Sequence, residues 1–199
     1  MARFADYFER LFLFILSALF VHALLSRASV HPYLILLAIS ECLPVLLIII
    51  RRPGEMVMKP YPYFLAFAAT ASPLLVRPAA GGLQLVPDSI AAGLLALGLA
   101  VNIAAKVALW RSFGLAPANR GVRNGGPYKF VRHPMYLGYF LTQIGFLLAN
   151  LTIANLLKYL VTWILQLLRI GEEEKFLLKD SAYRDLATRV KFRLVPGLY

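Results

Sequence analysis

The sequence predicts an all-α fold: a polytopic membrane helix bundle of five or six spans, with a tight C-terminal helical hairpin and a cytoplasmic C-terminal helix. Three observations carry this expectation. Hydrophobic side chains make up 60% of the 199 residues and charged ones only 16%, against about a quarter charged in soluble domains. Mean hydropathy is +0.68, and the apolar residues come in runs near the about 20 residues a bilayer crossing needs. Basic residues stand at the ends of those runs, where they meet lipid headgroups. A chain of this length forms a single integral membrane domain, residues 1–199, with N-terminal spans in 1–110 and a more polar part in 111–199.

In chain order, the first run (7–26) has a positive start but no small-residue cleavage signal before Arg27, so it reads as a retained span rather than a signal peptide. The second (32–50) carries Glu41 beside Cys42 and Pro44 at mid-depth. An ionisable group at that depth is a functional candidate by default, although a hydrogen-bonded structural carboxyl is the favoured reading. The third (61–77) is short and interrupted by Pro73. The fourth (88–110) carries Ala92, Ala96, Ala100, Ala104 and Ala108, a ridge of small residues that admits a close helix neighbour or a homodimer partner. Its Asn102 lies at the depth of Glu41, and Lys106 is expected to snorkel to the cytoplasm. The fifth and sixth (135–149 and 152–170) are separated only around Asn150 and form the hairpin. Thr142, Gln143, Asn155 and Gln166 are expected to bond between helices.

The orientation follows from the basic residues. Of 21 Lys and Arg residues, Arg27 and Arg77 fall on one side and Lys106 and Lys158 within spans. All the others fall on the opposite side, which places both termini and the loop before the hairpin in the cytoplasm. The net charge of +11 is thus a membrane-topology signal. No separate basic domain or aromatic-basic module points to nucleic acid. The single cysteine excludes an internal disulfide and a cysteine-rich metal site.

The chemistry concentrates in two polar islands. Asn124-Gly125-Gly126-Pro127 is a turn signal, followed by Tyr128, Arg132, His133, Pro134 and Tyr136 at the start of the fifth span. Proline fits a first helical turn, and a helix start beside Arg132 and His133 suits carboxylate or phosphate. Just past the sixth span stand Glu172, Glu173 and Glu174, which suit ribose hydroxyls or a cationic group and also complement a helix start.

The ordered set Gly126-x-Tyr128, Arg132-His133-Pro134-x-Tyr136-x-Gly138, Glu173-Glu174-x-x-Leu177, Tyr183, Arg189-Val190 and Pro196 resembles the isoprenylcysteine carboxyl methyltransferase family, whose broader relatives include phospholipid N-methyltransferases. The resemblance covers about residues 110–199. It implies a membrane enzyme that uses S-adenosyl-L-methionine at the cytoplasmic face, without a metal. Carried over by position, Tyr128, His133, Pro134, Tyr136, Gly138, Glu173 and Glu174 would bind the cofactor. Arg132 and Arg189 would be the catalytic arginines beside a substrate carboxylate. Two departures fall where the substrate pocket is expected: the usual Phe-Gly before Tyr183 is missing, and Ala187 replaces a second tyrosine.

The expected substrate is a lipophilic small molecule or prenylated group that enters from membrane lipid, most simply an isoprenylcysteine-like carboxylate. Such a nucleophile is ionised at neutral pH, so alignment in line with the methyl group is the main task. A phospholipid amine would instead need a base such as His133 or a glutamate. A nicotinamide-dependent membrane reductase and a non-enzymatic membrane scaffold are the readings from other classes. No Gly-x-Gly-x-x-Gly unit supports a soluble dinucleotide-binding architecture.

Overall fold

A computed structural model describes residues 2–25, 42–57, 59–77, 79 and 81–197. Glu41 and Arg27 lie outside the described residues. The helices are α1 (Ala2–Leu25), α2 (42–50), α3 (Pro60–Ala71), α4 (Asp88–Leu109), α5 (Pro134–Ala149), α6 (Ile153–Leu177) and α7 (Ser181–Arg189). One short antiparallel pairing joins β1 (Glu55–Met56) to β2 (Ala118–Asn119), with Glu55 opposite Asn119. Among the described residues, two helical stretches are long and apolar enough to cross a bilayer, Asp88–Ser112 and Ile153–Leu177. α5 is apolar but shorter. α3 ends early because the chain tightens into a 3-10 turn, Ser72–Leu75, around Pro73, whose ring cannot continue an α-helix.

α6 shows why these helices suit lipid. Its buried residues are Asn155, Tyr159, Thr162, Gln166, Arg169, Ile170 and Glu174, a largely polar seam at alternating three- and four-residue steps. Its outward residues are apolar: Ile153 is 80% exposed and Ile164 58% exposed. A helix in water would turn that pattern round. Its start is capped by Thr152, whose hydroxyl accepts the Asn155 N–H at 3.1 Å.

α4 and α5 form the most intimate pair. A Cβ added to Gly98 would lie 2.6 Å from the Thr142 nitrogen, and one added to Gly138 would lie 2.7 Å from the Asn102 nitrogen. Only hydrogen at both positions lets the backbones meet. The close face is thus the neighbouring stripe of Ala91, Gly98, Asn102 and Ala105, not the alanine ridge. Ala92, Ala100 and Ala104 are exposed. Asn102 donates to the Met135 carbonyl at 3.0 Å, which ties the middle of α4 to the start of α5.

Lys106 does not reach for solvent. It is fully buried, with its ammonium 5.5 Å from the centre of the Tyr139 ring, because α5 covers the face from which it would have to climb. Gln143 does bond between helices, accepting from Trp163 Nε1 at 2.7 Å. Thr142 instead donates to the carbonyls of Gly138 and Tyr139 in its own helix. At the other end of the hairpin, the Asn150 side chain exchanges two 3.0 Å hydrogen bonds with the Ala79 backbone. The loop before α4 pairs there through Leu83 and Leu151.

Candidate active site

The loop after α4, the end of α6, α7 and the C-terminal tail converge on the start of α5. His133 precedes the helix and Pro134 opens it, where the missing proline N–H costs nothing. The strand-like tail pairs alongside: Arg132 N–H donates to the Phe192 carbonyl at 3.0 Å, and His133 N–H to the Arg193 carbonyl at 2.8 Å. This strap fixes the Arg-His pair against α6.

Glu174 is the hub of the arrangement and is buried. Its oxygens accept from Arg132 Nε at 2.7 Å and Nη2 at 3.2 Å, and from Arg193 Nε at 2.7 Å. His133 Nε2 is at 3.2 Å and the Tyr183 hydroxyl at 3.3 Å. A buried carboxylate is tolerated only with this degree of compensation. Arg132 completes its bonds with Nη1 on the carbonyls of Val190 and Lys191.

Glu173 points the other way. It lines a cleft of about 110 Å3 with Tyr128, Arg132, His133, Met135 and Tyr136. Its Oε1 accepts from the Tyr136 hydroxyl at 2.9 Å and lies 3.5 Å from Arg169 Nε. The Arg169 guanidinium sits 5.3 Å from the centre of the Tyr136 ring, so Glu173 and Tyr136 are both oriented from behind. The opposite wall is the loop after α4, with Ser112, Asn119, Arg120 and Arg123, and Tyr183 and Leu186 of α7 close the side. Asp180 caps α7 by accepting the Ala182 N–H at 2.8 Å. It also accepts from Asn119 Nδ2 at 2.6 Å, which docks the helix against the loop. These bonds hold its carboxyl below the usual range, the Asn119 hydrogen bond contributing most.

Burial, reinforced by the Glu173 charge, pushes the Tyr128 phenol well above its ordinary value. Tyr183 is raised for the same first reason, with Glu174 adding to it. Both therefore act as neutral walls and donors, not as bases.

Of the sequence-predicted residues, Tyr128, Arg132, His133, Tyr136 and Glu173 meet at the cleft. Pro134 and Glu174 support it without lining it. Gly138 faces α4 at close contact and is not among the cleft residues. Arg189 is exposed, its Nε 3.2 Å from the Asp185 carbonyl of its own helix, and it is not among the cleft residues. Sequence reasoning missed Ser112, Asn119, Met135 and Leu186 as wall residues. For Ser112 and Asn119 the available signal was the density of polar and small residues between α4 and α5, which no helical period explains; Met135 and Leu186 carried none.

A second, smaller cavity of about 30 Å3 lies beside the cleft. It is bordered by Leu13, Ser17, Thr70, Leu115, Tyr139 and Arg169 among others, and Met135 borders both spaces. The cleft itself thus gathers tyrosines, a histidine and a carboxylate at the start of a helical hairpin.

Residues 95–179 match the isoprenylcysteine carboxyl methyltransferase (ICMT) family. The match runs from mid-α4 to the end of α6 and spans less than half of the chain. It contains the loop wall, the His133 helix start and both glutamates. α7 and the strap lie beyond it, as do α1, α2 and α3. No curated protein matches this chain. The ICMT match, with two apolar helices of crossing length, supports a membrane methyltransferase.

Proposed function

We propose that this protein is an S-adenosyl-L-methionine-dependent methyltransferase. In this reading it is a multi-pass protein whose cytoplasmic-face site O-methylates a lipophilic, isoprenylcysteine-like carboxylate. The observation that carries the reading is the convergence of His133, Tyr128, Tyr136 and Glu173 on one cleft, inside the segment that matches the ICMT family.

The donor set suits the cofactor's chemistry. Glu173 offers a carboxylate to ribose hydroxyls or a cationic amine, and Arg120, Arg123 and His133 bring positive or donor groups to the same cleft. Tyr128 and Tyr136 supply aromatic faces. Glu174 and Pro134 act one layer behind, by fixing His133 and the start of α5. When bound, S-adenosyl-L-methionine supplies a methyl group already activated on a sulfonium.

The protein's part is then to align and to exclude water. The strap from Val190 to Arg193 holds Arg132 and His133 in place, and Tyr183 and Leu186 close one side of the cleft. The acceptor's apolar tail lies along the apolar helix faces, and its carboxylate meets the cofactor at the cleft. Arg169, buried between the two spaces, supplies positive potential at that meeting point. The Arg132 guanidinium is taken up by Glu174 and the strap carbonyls, so its contribution is to hold the site together. Arg189 belongs to this reading only as a surface cation on α7.

The test is calorimetry of S-adenosylhomocysteine binding to the full chain in lipid nanodiscs, with His133→Ala as the control. Saturable binding lost in the variant supports the reading. A folded protein that binds neither S-adenosylhomocysteine nor S-adenosylmethionine overturns it. Turnover of a phospholipid amine without turnover of S-farnesylcysteine would keep the methyltransferase and replace its acceptor.

A further inference from the structure

The wall between the two cavities is the pair Leu115 and Ala116. Leu115 borders the smaller cavity and Ala116 borders the cleft. The pair has no regular secondary structure to hold it, so its amides need partners from elsewhere.

They find them on α1. Glu9 is fully buried, a costly place for a carboxylate unless it is paired and hydrogen-bonded. Its Oε1 accepts the Leu115 N–H and, at 3.3 Å, the Ala116 N–H. Its Oε2 lies 2.9 Å from Arg51 Nη1, just past α2. From the other side, the Leu115 carbonyl accepts from Arg169 Nη2 at 2.6 Å. One peptide unit is therefore held at its N–H by α1 and at its C=O by α6, and Arg169 is the same residue that touches Glu173 and Tyr136. Glu9 borders neither cavity.

An ion pair alone would be enough to join α1 to the end of α2. The bonds from Glu9 to two successive loop amides do something different: they set the position of the partition. We propose that Glu9 is a positioning residue for methyl transfer. It holds Leu115–Ala116, at the inner edge of the cleft, so that acceptor and cofactor meet there at reacting distance. The inference rests on the methyltransferase reading and extends it to α1, which lies outside the ICMT match. Reacting atoms must approach to about 3–3.5 Å, and a misplacement of about 1 Å costs on the order of 100-fold in rate.

The test uses the full chain in nanodiscs, comparing wild type with Glu9→Gln, which preserves volume and removes the charge. Three quantities are read: hydrogen–deuterium exchange of the peptide covering 113–117, S-adenosylhomocysteine affinity, and turnover of S-farnesylcysteine at saturation. The expected result is faster exchange at 113–117 and kcat reduced at least tenfold, with affinity held within about threefold. Wild-type exchange with wild-type kcat overturns the proposal. A parallel fall in kcat, affinity and thermal stability also overturns it, by reducing Glu9 to a fold anchor. If Glu9→Gln does not assemble, Glu9→Asp is read the same way, since it keeps a charge for Arg51 and withdraws from the amides by one methylene. Wild-type protein that neither binds S-adenosylhomocysteine nor turns over the acceptor would instead sink the methyltransferase reading. In that case the exchange at 113–117 still reports whether Glu9 holds the wall.

Discussion

Glu173 and Glu174 are adjacent on α6 and do opposite things. Glu173 opens onto the cleft with the Tyr136 hydroxyl on its Oε1, whereas Glu174 turns into a cluster of Arg132, His133, Tyr183 and Arg193. A turn of about 100° between successive helical residues is all that separates a cleft-facing carboxylate from a structural one.

The two glutamates are therefore expected to fail differently. Glu173→Gln should weaken S-adenosylhomocysteine binding at least tenfold while leaving thermal stability near wild type. Glu174→Gln should cost about 3 kcal/mol of stability, because it breaks a buried ion cluster by removing one partner. Calorimetry and thermal denaturation of both variants check this, and a reversed pattern would exchange their roles.

The α4–α5 contact gives a second expectation. Gly138→Ala places a methyl group 2.7 Å from the Asn102 nitrogen and should destabilise by about 1–3 kcal/mol through overpacking. Gly93→Ala, where an added Cβ meets nothing within 4 Å, should be neutral in the same denaturation assay.

These pairs also show what was legible from the residues. The hydropathy runs located α1, α4, α5 and α6, because lipid-facing apolar length is written directly in sequence. The meeting of His133 with Glu173 was legible only through the ordered motif, since no local periodicity links residues on two helices. Gly138 belongs to the motif, yet spacing does not tell a glycine needed by a helix from one needed by a ligand. Lys106 was misjudged because snorkelling assumes an open path to the interface, and that path is blocked by Tyr139. The hold of Glu9 on the loop was unreadable, since the two amides it bonds lie more than 100 positions away.

A third expectation concerns pH. The Asp180 carboxyl is held below its usual value by Asn119 and the Ala182 N–H. A depressed folded-state value contributes stability above the unfolded carboxyl's value, about 3.9, and that contribution is lost as pH falls through the folded value. Hydrogen exchange over α7 should rise in wild type below about pH 4. In Asp180→Ala it should already be faster at neutral pH, consistent with a lost cap of about 1 kcal/mol. Identical exchange in the two proteins at neutral pH would remove Asp180 as the docking residue.

The alkaline side gives a fourth. Tyr128 is raised well above its ordinary value by burial and by Glu173, so it stays protonated throughout the working range. Tyr128→Phe should leave the alkaline limb of the pH–rate profile in place, with any loss appearing in cofactor affinity. An alkaline limb that vanishes in the variant would make the phenol the titrating group.

α6 has one more consequence. It is a continuous 25-residue helix, about 38 Å long at 1.5 Å per residue, while a hydrocarbon core is about 30 Å thick. Under the membrane methyltransferase proposal, with the crossing measured from Ile153, about 20 residues fill that thickness and bring Glu173 and Glu174 to the waterline. The depth of the proposed reaction centre is then a matter of helix length against bilayer thickness. A thicker membrane would draw the carboxylates toward the hydrocarbon and a thinner one would lift them clear. The lipid around this protein acts as an adjustable support that sets the height at which its chemistry takes place.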